Sequence, residues 1–150
     1  MTLSEWADLH RSDLVAEPPN RSLIAELCAV ADREIRDAET VESHDGRLGH
    51  AHTACLAIAA AALAASGYRA RQGSLAHHWR LIESLEFTLG LTPGQVKELQ
   101  DYRKKRSLSV YERAGVVAPG EAGAALSAAR RLRAGLAAWL VQEHPDFLPK

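Results

Sequence analysis

The chain has 150 residues and 16.3 kDa, the size of one ordinary domain able to bury a single core. Hydrophobic residues at 47% and charged residues at 25% exclude a disordered chain, and aromatics at only 5% disfavour a β-sandwich. A formal net charge of −1 excludes a protein that coats nucleic acid through its overall field, so any such binding must use a local patch.

In chain order, a short first helix is predicted from Thr2 to Leu14, with Ser4 as its cap. Its opening residues, MTLSEWADLH, have no basic region followed by an apolar one, so a secretory signal is not expected. The stretch AEPPN at Ala16–Asn20 breaks the chain, because Pro18 and Pro19 cannot continue a helix, and Asn20 is a good N-cap for the next. From there Leu23, Leu27, Val30, Ala31, Ile35, Ala38 and Val41 recur at steps of three and four, an amphipathic helix ending near Glu42. Ser43–Gly46 reads as a turn.

A third helix is expected over Arg47–Ser66, small-sided nearly all round and stopped by Gly67. Its most apolar run, Ala54 to Ala65, is twelve residues, short of the roughly 20 that span a bilayer, so a buried helix of a cytoplasmic protein with no membrane partner is expected. Cys28 and Cys55 fall in apolar helical patterns and read as buried thiols rather than a disulfide framework.

A fourth helix is predicted over Ser74–Leu89, with Leu75, Trp79, Ile82, Leu85 and Leu89 as its apolar stripe. After the break GLTPG, Thr92 and Pro93 are an N-cap and a first-turn proline opening a fifth helix, which carries Val96, Leu99, Tyr102 and a basic run. A last helix from Glu121 to Glu143 buries Ala125, Leu126, Ala129, Leu132, Leu136, Trp139 and Leu140. No β-pattern competes. The expected fold is all-α, an antiparallel up-and-down helical bundle of four to five main helices. Residues 1–19 form an N-terminal helix and Pro-rich break, 20–146 the bundle, and 147–150 a C-terminal tail.

The basic run, DYRKKRSLSVYE, carries the functional question. On a helix, positions 96, 99, 103, 106 and 110 share one face, so Arg103 and Arg106 interrupt an otherwise apolar stripe of Val96, Leu99 and Val110. Guanidinium groups there need a carboxylate, a phosphate or water. Two readings stand: stems packed along the bundle edge with heads in water, or an anion site in which the planar forks bind phosphate bidentately. Lys104 and Lys105 point elsewhere. Arg130 and Arg133 share a solvated face of the last helix.

Seven histidines raise the question of a metal. No pair stands at i, i+4; His50 and His52 diverge around a helix, as do the neighbours His77 and His78. A site joining His52 to His78 from another helix is geometrically open, but partly exposed histidines at helix ends are the expectation, with no metal and no cofactor. No phosphate-binding loop is present, and Ser74, Ser84 and Ser127 lack a nucleophile-elbow context.

The stretches ACLAIAAAALAASGYRARQGSLAHHWRLIESL and DYRKKRSLSVYERAG, with the alanine-rich last helix ending WLVQEHPDFL, resemble the HEPN superfamily of small helical bundles, in particular an actinobacterial-type branch of it. The resemblance covers roughly residues 23 to 147. It implies paired bundles, and for active members metal-independent RNA cleavage by an arginine, an asparagine, three mostly apolar positions and a histidine. Laid on that pattern, Arg106 takes the arginine position, Ser107 the asparagine position, and Tyr111 stands where histidine belongs. An imidazole with an ordinary pKa of about 6.5 exchanges protons near neutrality; a phenol at about 10 does so poorly.

The expectation is therefore a homodimer that binds RNA or a nucleotide-bearing partner. Arg103, Arg106 and Ser107 would be its ligand-binding residues, with His77 and His78 beside them and Arg106 and Tyr111 in the catalytic positions of a degenerate motif. Two alternatives remain: an active endoribonuclease in which Tyr111 or a neighbouring histidine replaces the base, and a pure interaction module paired, for example, with a nucleotidyltransferase-type protein.

Overall fold

The computed structural model describes residues 1–74 and 76–148. Among them six helices run in order: α1 (Leu3–Leu9), α2 (Arg21–Thr40), α3 (His44–Ala65), α4 (His77–Ser84), α5 (Pro93–Tyr111) and α6 (Pro119–Glu143). The fold is an all-α helical bundle, as the sequence indicates.

The caps account for most boundaries. The Asn20 side chain accepts from the Leu23 amide at 3.1 Å and starts α2. Thr92 and Gln95 form a reciprocal capping box, at 3.2 and 2.9 Å, that starts α5 one residue before Pro93. Ser43 caps α3 through the Gly46 amide at 3.0 Å, so the expected Ser43–Gly46 turn is instead the first turn of that helix. At its other end α3 stops at Ser66, and Gly67 follows with a φ of 92° that a side chain would strain.

Two expectations need correcting in the first 20 residues. Thr2 rather than Ser4 caps α1, accepting from the Glu5 amide at 3.2 Å, and the helix ends at Leu9 rather than Leu14. Leu14–Ala16 is instead a strand, β1, paired antiparallel with β2 (Tyr68–Ala70) in the register Leu14–Ala70, Val15–Arg69, Ala16–Tyr68. The bond from the Arg71 amide to the Asp13 carbonyl, at 2.7 Å, continues this ladder. Trp6, Ala7 and Leu14 are buried in the same core as the bundle.

The core forms around α3. Of its side chains, Ala51, Ala54, Ala57, Ile58, Ala59, Ala61, Ala62 and Leu63 are all buried, and α2 and α6 pack against it. Alanine lets neighbouring helices approach closely and loses almost no side-chain entropy on burial. By length and composition α3 could cross a membrane, yet 72% of its most apolar window is buried inside the bundle. Because α2 packs on both α3 and α6, its buried stripe is Ile24, Cys28, Ala31, Ile35 and Ala38, with Leu23, Leu27 and Val30 only half-buried. Both cysteines are buried and unpaired in a disulfide.

The fourth helix is shorter than expected, His77–Ser84 rather than Ser74–Leu89. A left-handed Gly73, with φ of 79°, sends the chain through a turn before it, and the Ser84 hydroxyl bonds back to the Leu81 carbonyl at 2.6 Å at its end. Leu75, assigned by spacing to the apolar stripe, lies outside the described residues. Trp79, also assigned to that stripe, is 37% exposed, while Ile82 and Leu85 are fully buried.

Candidate anion-binding cleft

A cavity of about 300 Å³ opens between α3, α4 and α5, lined by His52, Ser74, His77, His78, Trp79, Arg103, Arg106, Ser107 and Tyr111. All six residues singled out in the sequence lie on its wall: Arg103, Arg106, Ser107 and Tyr111 from α5, His77 and His78 from the first turn of α4. His52 reaches it from α3.

Arg103 is held in place before any ligand arrives. Its Nε donates to Gln100 Oε1 at 3.0 Å, and its guanidinium carbon lies 5.2 Å from the centroid of the Trp79 ring. Gln100 is itself buried and donates to the Trp79 carbonyl at 3.1 Å, so one amide fixes both the arginine and the start of α4. Trp79 is held in turn by Glu83, whose carboxylate accepts from Trp79 Nε1 at 3.0 Å, from Trp6 Nε1 at 2.5 Å and from Arg80 at 2.8 Å. Asp13 accepts from Arg80 at 2.9 Å and from the Ser74 hydroxyl at 2.5 Å, bonds that hold its carboxyl below the usual range. The N-terminal segment thus braces the wall that carries His77, His78 and Trp79.

Arg106 crosses toward α3 beside Gly49, where an added Cβ would stand 3.9 Å from its Nε. That Nε is buried and has no hydrogen-bond partner. Among the described residues neither Arg103 nor Arg106 pairs with a carboxylate, whereas Lys105 pairs with Glu121 at 3.3 Å. Arg130 and Arg133, expected on a solvated face, pair with Glu39 at 3.2 Å and Asp32 at 2.8 Å on α2. Among the described residues, the cavity wall contains no aspartate or glutamate.

His52, which the sequence left open as a neighbour of His78 and not of the arginines, joins both here. It is 3% exposed, makes no hydrogen bond among the described residues, and its ring centroid lies 6.4 Å from that of His78. Burial, then the charges of Arg106, His78 and Arg103, push its pKa down to about 3. Burial and the charges of His77, Arg106 and Arg103 also lower that of His78. Both imidazoles are therefore neutral at pH 7 in the free protein. Tyr111, in the histidine position of the resemblance, is 77% exposed at the last residue of α5.

A second cavity, on the other side of Arg106, is lined by Glu34, Asp45, Gly46, Gly49, His50, Thr53, Ser109 and Val110. Two of these, Glu34 and His50, have ligand atoms within 4.8 Å of each other and of Asp37, which stands outside the lining. His50 Nδ1 and Glu34 already share a 2.6 Å hydrogen bond, and the arginine alongside opposes a cation.

Donors that converge without carboxylates, in a partly enclosed space where charge is weakly screened, favour an anion. The two arginines suit phosphate oxygens. Comparison with family models, curated proteins and solved structures finds no match to this chain.

Proposed function

We propose that this chain is a HEPN-like bundle that acts as a homodimer and binds RNA, or a nucleotide-bearing partner, through the cleft around Arg103 and Arg106. One observation carries this reading: two arginines and three histidines meet in one cavity with no carboxylate on its wall among the described residues. Arg106 with an orphaned Nε, and Arg103 braced by Gln100 and Trp79, supply forked donors for phosphate oxygens. Pairing of two bundles along the exposed Val110–Tyr111 end of α5 would place two such clefts side by side, as the resemblance implies.

The test is binding of a short RNA at two salt concentrations, wild type against Arg103→Ala/Arg106→Ala. Loss of affinity in the double variant, with the salt slope reduced by about 1 to 1.5, supports the reading. Salt-independent or absent binding overturns it in favour of an interaction module. Sedimentation at micromolar concentration tests the pairing, and a monomer refutes that part.

A second reading, metal-independent RNA cleavage, is favoured by the imidazoles of His52 and His78 standing beside Arg106 where Tyr111 is a poor base. Cleavage by purified protein that is abolished in both Arg106→Ala and His78→Ala supports it. Intact RNA after prolonged incubation refutes it.

A further inference from the structure

We infer that the cleft is built for a terminal phosphate, the phosphomonoester dianion at the end of an RNA strand or on a mononucleotide, rather than for the interior of a strand. This rests on the reading above and narrows its ligand.

The donors converge on one cavity of about 300 Å³ instead of following a groove. Arg103 and Arg106 enter from α5, His78 from α4 and His52 from α3, with the Ser107 hydroxyl on the wall, while the Ser74 hydroxyl is already given to Asp13 and His77 Nδ1 to the Arg71 carbonyl. A phosphomonoester offers three terminal oxygens and a charge close to −2 at pH 7, so it matches a cluster of converging donors. A phosphodiester within a strand has two free oxygens, one charge, and two chain exits to accommodate.

Two side chains of this cleft have hydrogen-bonding capacity unused among the described residues. His52, 3% exposed and without a hydrogen bond among the described residues, lines the cavity, and the Arg106 Nε is buried and orphaned. Buried polar groups without partners cost folding free energy, which a ligand's oxygens can recover. In addition, α4 starts at Ala76 with no side-chain cap, and its first-turn residues His77, His78 and Trp79 face the cavity, so the positive end of the helix adds to the same potential.

Among the described residues, the cations on the α2 and α6 sides of the cleft are already engaged and offer no track for further phosphates. Strand-binding grooves carry successive cations along the backbone. Here Lys105, Arg130 and Arg133 are each paired with a carboxylate, and Arg131 opens on a separate, mostly apolar cavity with Leu89, Leu91 and Leu99. A strand passing Arg106 toward α2 would meet Glu34 and Asp45. The half-exposed Trp79 ring and the exposed Tyr111 ring leave stacking faces for one or two bases at the cleft's mouth.

The test uses the full chain and a short single-stranded RNA in four forms: 5′-phosphate, 5′-hydroxyl, 3′-phosphate and 3′-hydroxyl, with AMP, adenosine and inorganic phosphate as competitors. One phosphorylated end is expected to bind about tenfold tighter than its hydroxyl counterpart, an effect of charge-assisted bonds. AMP and inorganic phosphate should displace it, and adenosine should not. Arg106→Ala should reduce that preference to about twofold or less, and Arg106→Lys, which keeps the charge but loses the fork, should reduce it partway. Lys104→Ala, on the exposed side of α5, should leave it intact.

Equal affinity for phosphorylated and hydroxyl ends, in a protein that does bind RNA, overturns this inference and leaves the RNA-binding reading standing. AMP binding without RNA binding supports this inference and narrows the reading above to its nucleotide-bearing partner. No binding of any probe overturns both.

Discussion

The two halves of α3 are one helix put to opposite uses. From Ala54 to Ala65 it is almost wholly small and apolar, buried against α2 and α6. From His44 to Thr53 it carries Gly49, His50, His52 and Thr53 along two cavities that meet at Arg106. The difference shows where uniformity ends and specificity begins. The alanine half gains stability from close approach of helices, while the polar half buries an imidazole, that of His52, with no hydrogen bond among the described residues.

Breaking the apolar half should have the largest effect. Ile58 is fully buried, and Ile58→Ala is expected to cost about 2–5 kcal/mol in urea unfolding. A loss below 1 kcal/mol would mean that this half is not the packed centre. The polar half should instead reveal itself through pH. Between about pH 3 and 6.5 the folded protein holds fewer protons on His52 than the unfolded chain does, so acidification through that window removes stability, by up to about 1.4 kcal/mol per pH unit. His52→Gln should unfold less steeply with falling pH than the wild type, and parallel pH curves would refute the buried neutral imidazole. A smaller effect is expected from Glu83→Gln, which weakens three bonds that brace α4. It should cost about 1–2 kcal/mol and weaken RNA binding with it, because Trp79 and Arg103 lose their support. Lys104→Ala should change stability by less than about 0.5 kcal/mol.

The same contrast explains what could be read from the amino acids alone. Asn20 and the Thr92–Pro93 pair declare their helix starts because capping is a matter of neighbouring residues. Arg103 and Arg106 declare themselves as charges on an apolar helical stripe. The β1–β2 ladder does not, since three-residue strands have no readable period and their partners lie more than 50 residues apart in the chain. The meeting of His52 with His78 was open to sequence reasoning, but the burial of His52 was not, since whether a histidine in an alanine-rich helix is covered depends on α4 and α5. Spacing places Val110 on a stripe facing a core or a partner; it is exposed, while Ser109 beside it is the residue that the last turns of α5 bury. The distance from Arg106 to the histidines of α4 is likewise set by tertiary packing and not by motif spacing.

The bonds from Asp13 to Ser74 and Arg80 span 61 and 67 residues. Closing contacts of that separation restricts a long stretch of chain at once, so they cost more loop-closure entropy than the local bonds within a helix. A fragment beginning at Arg21 would keep α2, α3, α5 and α6 but lose the fastening of the segment before α4. Its helices could assemble while its cleft stayed unlatched, which separates the ability to fold from the ability to grip.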